Sequence, residues 1–365
     1  MIPKIVPTLN NKLNLEMWPD APYVFLADHM PQSYDCRINI DHEPSYEKNS
    51  YKDLFTECGL DCSNRIFVTD HYTKFEGLDK VITLPEANFF VGVATKYLNF
   101  FTNFDEVPDY PITKKFLYLS NKPRPNRCLT SRIIANCFNE DEITHSYISS
   151  TNQEFLTDEL LLDTEYGFEN KFLSEKWIKI WDHQIRQNEG NITHKSLEDI
   201  FDKMQHVAFN NSATSIIVEP SYYEHGNIFT EKTLMPIYSG HFLIWPGNYK
   251  SADSFKELGF DVFDDIIDHS YQYIDHPGKR IVEALLKNMD FLNDIELQLD
   301  YRNKFKDRLN HNLSLVRNIS KLSDNLMKLQ IGAKSINHLD EANNFREFIR
   351  KHNINFQLFY QSVYI

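Results

Sequence analysis

Ser215-Ile216-Ile217-Val218-Glu219-Pro220, then Phe229-Thr230-Glu231-Lys232-Thr233-Leu234-Met235-Pro236-Ile237-Tyr238-Ser239-Gly240, then His241-Phe242-Leu243-Ile244-Trp245-Pro246-Gly247 decide the fold. The first run is short, apolar and closed by proline, so Ser215–Val218 reads as a buried strand. The second opens with an acid and a base and closes on glycine, which are helix start and stop signals. The third, Phe242–Trp245, is a second apolar strand. A strand, a helix and a strand in that order make a parallel crossover unit. In such units ligand phosphates and hydroxyls gather where strands end and helices begin. Glu231 and Lys232 stand side by side at such a start. The plainer alternative is a helix N-terminus carrying a surface ion pair.

The same alternation extends outward. Upstream, Lys115-Phe116-Leu117-Tyr118-Leu119 reads as a strand, Asn121-Lys122-Pro123-Arg124-Pro125-Asn126-Arg127 as a basic loop and Cys128 to Phe138 as a helix. His145–Ser149 is a further strand, and residues 151 to 208 are mainly helical, with Trp177, Ile180 and Trp181 on one face. Downstream, Ser251–Leu258 is a helix and Phe260–Phe263 a strand. A stretch punctuated by prolines, Val107-Pro108-Asp109-Tyr110-Pro111, reads as a linker.

Before the linker, three more apolar runs end in acid–histidine pairs. Tyr23–Ala27 is followed by Asp28-His29, Arg37–Ile40 by Asp41-His42-Glu43-Pro44, and Arg65–Thr69 by Asp70-His71. As a set they mark one edge of an N-terminal domain. The expected fold class is therefore α/β, with doubly wound domains at 1–112 and 113–285 and a helical extension at 286–365. In that extension Phe305, Leu309, Leu313, Val316, Ile319, Leu322 and Leu326 form a seam repeating about every 3.5 residues. Such a seam suits a helical hairpin or the pairing of two subunits.

Bulk properties narrow the function classes. At 365 residues, 42% hydrophobic and 14% aromatic, the chain is long enough for two cored domains. A net charge of −14 disfavours binding to a phosphate backbone. Residues 302–329 run the other way, with seven Lys or Arg against two Asp. They read as a solvated face complementing the acidic body, or else as a docking helix for an acidic partner. Five cysteines, Cys36, Cys58, Cys62, Cys128 and Cys137, are odd in number and contain no CxxC pair, which fits free thiols in a reducing compartment. No apolar run approaches the ~20 residues of a membrane span, and the N-terminus lacks an apolar signal core. A cytoplasmic protein is expected, with Asn191-Ile192-Thr193 left unglycosylated.

The candidate chemistry is transfer of a sugar from a nucleotide diphosphate. As the glycosidic bond breaks, the departing diphosphate gains negative charge. That charge is met by a metal ion or by cations and helix N-termini. No two aspartates lie two positions apart, so the DxD metal motif is missing; Asp264-Asp265 is the nearest imitation and reads as structural. The cationic route is supplied by Arg124 and Arg127 from one loop and Lys232 from another. Arginine's fork matches two phosphate oxygens. Glu231 suits ribose or sugar hydroxyls, and Thr233 offers a hydroxyl or a cap. No metal site and no cofactor beyond the sugar nucleotide is expected.

The order of arginine loop, strand, Glu-Pro strand end, Phe-Thr-Glu-Lys-Thr, apolar strand and Gly259-Phe260-Asp261-Val262-Phe263-Asp264-Asp265-Ile266-Ile267-Asp268 resembles the donor-binding half of glycosyltransferase family 10. This is the α1,3-fucosyltransferase-like group, and the likeness is greater to its phage and algal-virus branch. It covers roughly residues 113 to 285. It resides in Leu119–Arg127, similar to an N-R-x-x-R-x-H-R pattern, and in Phe229–Thr233 followed by Pro236 and Gly240. The chain departs from the first pattern at Lys122, where Arg is usual, and at Asn126, where His is usual. The resemblance implies GT-B architecture, with two Rossmann-like domains and the acceptor in the cleft between them, inversion at the anomeric carbon and no obligatory metal. It implies that Arg124, Arg127 and Lys232 hold the diphosphate and that Glu231 touches ribose or sugar, with Glu219 and Glu224 as neighbours. The family's donor is GDP-fucose and its acceptor a glycan.

An inverting transfer also needs a general base from the opposite domain. Glu43 is the first candidate, because the family's N-terminal domain carries a carboxylate at a similar loop; Asp28 and His29 come next. Glu43 ordering a turn before Pro44 is the competing account. Two other functions fit less of the chain. One is a viral enzyme glycosylating hydroxymethylated DNA bases, in the host cytoplasm. The other is a non-catalytic sugar-nucleotide-binding protein.

Overall fold

The computed structural model describes residues 5–8, 12–15, 23–27, 37–39, 66–69, 80–83, 105–120, 125–145, 209–219, 229–319, 321–322, 340, 343–344, 347 and 351. The chain divides into two compact units, one formed by residues 1–93, 225–228 and 319–365 and the other by 94–224 and 229–318. The helices between 286 and 318 thus belong to the second unit, and the residues from 319 onward to the first.

In the first unit, β1 (Ile5–Thr8) and β2 (Lys12–Leu15) form an antiparallel hairpin. The strands β3 (Tyr23–Ala27), β4 (Arg37–Asn39), β5 (Ile66–Thr69) and β6 (Val81–Thr83) make an all-parallel sheet in the order β4-β3-β5-β6. The chain builds outward from β3 to β4, then returns to the other side of β3 for β5 and β6. In a parallel sheet that reversal opens a crevice at the carboxyl ends of the two inner strands, here β3 and β5.

The second unit repeats this order. Its strands are β7 (Leu117–Tyr118), β8 (Thr144–His145), β9 (Thr214–Ile216) and β10 (Phe242–Ile244), arranged β10-β9-β7-β8 and all parallel. Its reversal lies between β7 and β9. Both β9 and β10 are buried along their whole length, as strands covered on two faces must be. Aromatic side chains fill the space around β10. Phe242 meets Phe263 edge-on at 4.9 Å and Phe291 at 5.6 Å, while Trp245, Phe229, Phe255 and Phe260 form a second cluster.

The helices follow local chemistry. Helix α1 (Pro125–Cys137) starts three residues before the expected Cys128, so Asn126 and Arg127 lie in its first turn instead of in a loop. Proline at the first helical position explains this: its ring presets the backbone, and the amide it lacks has no partner there anyway. Helix α2 (Glu231–Tyr238) is capped by the Thr230 side chain, which accepts from the Lys232 amide. It closes with the Gly240 amide on Ile237 O at 3.0 Å and the His241 amide on Pro236 O at 3.1 Å, the paired bonds of a Schellman ending.

Helix α3 (Ser251–Glu257) has its first amides held by Gln272 Oε1, and α4 (Pro277–Leu286) packs against α1. Then come α5 (Met289–Asn293), α6 (Ile295–Lys304), whose first turn is capped by Asp294, and α7 (Lys306–Arg317), which packs on α2.

Two expectations change. Phe260–Phe263 joins no strand ladder, because side chains take its backbone groups first. Asn312 accepts from the Asp261 amide and donates to the Asp261 carbonyl, both at 2.8 Å, while His269 Nε2 donates to Val262 O. The seam from 305 to 326 is not one helix either. Phe305 and Asn318 carry non-helical dihedrals and bound α7 on either side. Leu309, Leu313 and Val316 are buried within the chain, which leaves them covered; Leu326 lies outside the described residues.

Candidate functional site

The residues singled out in the second unit converge where β7 and β9 end. Past β9 the chain runs through Ile217 and Val218 to Glu219, which is wholly buried. Its carboxyl accepts three hydrogen bonds, from the Thr230 amide at 2.8 Å, the Thr230 hydroxyl at 2.5 Å and the Thr233 hydroxyl at 2.6 Å. Thr233 is also fully buried, and its oxygen receives the indole N–H of Trp245 at 3.1 Å. One carboxyl therefore ties the end of β9 to the first turn of α2 and, through Thr233, to the residue that follows β10. Burial pushes the Glu219 carboxyl above the usual range, against the opposing pull of Lys232 and the two threonine hydroxyls.

From α1, the Asn126 amide donates to Glu219 O at 2.9 Å and Arg127 Nε to Val218 O at 3.3 Å. Tyr118, at the end of β7, donates its hydroxyl to Arg127 O at 3.0 Å. Arg127 is 4% exposed, and burial lowers its pKa while Tyr118, Glu219 and Glu231 pull it back up. Strands β7 and β9 and helices α1 and α2 are thus joined at one sheet edge by side chains that each reach across an element boundary.

At the surface of this edge lie Glu231 and Lys232, half-buried, with the ammonium on Glu231 Oε1. Burial works to raise the Glu231 carboxyl, but Lys232 and Arg127 outweigh it and hold the group below its ordinary value. An acid kept ionised beside two cations at a helix N-terminus offers donors and acceptors together. A diphosphate here would share the Lys232 ammonium with Glu231 and draw on the positive end of α2; a ribose or sugar hydroxyl has Glu231 as acceptor.

Of the sequence candidates, the structure brings together Arg127, Glu219, Glu231, Lys232 and Thr233. Arg124, Glu224, Glu43, Asp28 and His29 lie outside the described residues. Asn126, Thr230, Tyr118 and Trp245 are added. Thr230 was readable as a cap from its place before the helix. Asn126, noted only as a departure from His, is fully buried and fastens α1 to β9.

The neighbouring acidic pair has other partners. Asp264 bonds Lys256 at 2.6 Å and Asp265 meets Arg308 at 2.8 Å. Among the described residues no group of three or more His, Cys, Asp or Glu is placed to hold a metal ion. No helix among them is long and apolar enough to cross a membrane.

Between β9 and β10, His241 and Ser215 satisfy one another. His241 is pushed down to about 3 by burial, so its ring is neutral. Nε2 must donate to Phe209 O at 2.7 Å, which leaves Nδ1 to accept from the Ser215 hydroxyl at 2.7 Å. No protein-family model, curated protein or solved structure matches the chain.

Proposed function

We propose that the second unit binds a nucleotide-diphosphate sugar and that the chain is an inverting, metal-independent glycosyltransferase resembling family 10, of GT-B architecture, acting on a glycan acceptor. The observation that carries this reading is the meeting of Arg127, Glu219, Glu231 and Lys232 at the reversal point of a parallel sheet. That is the place where open α/β sheets take up phosphorylated ligands. The recurrence of the same strand order in the first unit supports two Rossmann-like halves.

In the reaction, an acceptor hydroxyl attacks the anomeric carbon while a base removes its proton. The bond to the diphosphate breaks on the opposite face, and its electron pair stays on the phosphate oxygen. Arg127 and Lys232, with Arg124, are the cations proposed to meet that charge. Fucose from a GDP-linked donor is the sugar the resemblance favours. For the base, Glu43 remains the first candidate. Asp28 and His29, which follow β3 in the sequence, are the next candidates.

A thermal-shift screen against GDP, UDP, CMP and their sugars tests the reading. A ligand at 100 times its dissociation constant adds about 2.7 kcal/mol of stability. The shift is expected to disappear in Lys232→Ala and Arg127→Ala. It should persist in Glu43→Gln while turnover is lost, and activity should survive EDTA. Mutants that bind the donor as the parent does would remove the site assignment.

A further inference from the structure

We infer that Glu219 is a positioning residue: it never touches the ligand, but locks the first turn of α2 so that Glu231 and Lys232 present one fixed arrangement at the sheet edge. The inference rests on the donor-binding reading above and deepens it. Glu219 has no exposed surface, and both of its carboxyl oxygens are taken. A group so enclosed cannot reach a diphosphate. What it does reach is every fixed point around the α2 start. Through its own oxygens it holds the Thr230 amide and hydroxyl and the Thr233 hydroxyl, and through Thr233 it holds the Trp245 indole. Its backbone carbonyl holds Asn126 at the start of α1.

A buried carboxyl is a poor choice for packing alone, because an apolar side chain would fill the volume without the desolvation cost. Its advantage is directional. Thr230 is the α2 cap and Thr233 lies in the first turn, so their bonds to one rigid acceptor set both the rotation of the helix and its distance from β9. Glu231 and Lys232 stand between those two threonines and have no freedom to turn separately from them. A site so prearranged loses less on ordering when a ligand arrives.

The test uses the full chain labelled with nitrogen-15 at lysine and tryptophan, with calorimetric titration of inorganic pyrophosphate and GDP. Thr233→Val keeps the shape but removes the relay, and Thr233→Ser restores the hydroxyl. Glu219→Leu removes the acceptors, and Glu219→Gln retains an oxygen for the Thr230 amide. Thr233→Val and Glu219→Leu are expected to move the Lys232 amide and Trp245 indole signals and to weaken pyrophosphate about tenfold or more. The Ser and Gln variants are expected to recover most of the affinity. Should Glu219→Leu fail to fold, the Thr233 pair decides. A Lys232 amide signal or a pyrophosphate affinity unchanged in Thr233→Val overturns the proposal. A parent protein that binds neither pyrophosphate nor GDP overturns the donor reading instead, and the Lys232 and Trp245 signals then decide the role of Glu219.

Discussion

Gly240 ends α2 with φ of +67°, and a β-carbon built there would lie 2.1 Å from Val107 Cγ1. Two separate costs meet at this residue, a left-handed backbone and a contact no side chain tolerates. Gly240→Ala is expected to destabilise the chain by about 2 kcal/mol or more, read as a lower urea midpoint; an unchanged midpoint would show that Val107 yields freely. The sequence revealed this glycine as a helix stop, but the reason no other residue can stand there lies in Val107, 133 positions away in the chain. The site shows the same division. Glu231 and Lys232 were legible from their place at a helix start. The burial of Glu219 and its three bonds were not, because they depend on where β9 falls beside α2, and no local pattern encodes that.

At the scale of elements, the joint between α7 and the segment after α3 depends on Arg308. Its Nε and Nη2 reach the two oxygens of Asp261 at 2.6 and 2.8 Å, while Nη1 and Nη2 reach those of Asp265 at 2.8 Å. The guanidinium also lies over the Phe263 and Phe305 rings. Lysine cannot reproduce this fork. Burial works to raise the Asp261 carboxyl, but Arg308 outweighs it; at Asp265 the bonds from Arg308 are the leading influence, and both carboxyls sit below their ordinary value. Depressed carboxyls stabilise the fold above the unfolded aspartate pKa of about 3.9, and that gain is lost as pH falls through the folded values. Arg308→Lys is therefore expected to cost about 1–2 kcal/mol at neutral pH, the gap from the parent closing below about pH 4. Equal urea midpoints at pH 7 would remove this account. Strand–helix alternation was readable because its period is local. The reading of Phe260–Phe263 as a strand went astray because period alone cannot tell a ladder from an extended segment held by side chains.

Over the whole molecule, a net charge of −14 coexists with a basic run near the C-terminal end of the second unit. Four of its seven cations face inward or are paired. Arg302 is buried and bonds the carbonyls of Pro108 and Ser239, Lys306 meets Asp109, Arg308 meets Asp261 and Asp265, and Arg317 meets Asp105. These four are held by their own surroundings, which weighs against the DNA-modifying alternative. The full chain is expected to leave the gel mobility of duplex DNA unchanged even at low ionic strength; retardation that fades steeply with salt would reverse that expectation. Asn312 has an effect at this scale too. An apolar stretch like Phe260–Phe263, with open amides and carbonyls, invites backbone pairing from another copy of the chain. With Asn312 holding the Asp261 amide and carbonyl, His269 the Val262 carbonyl and the Asp261 carboxylate the Phe263 amide, this stretch has few backbone groups left to offer a second copy.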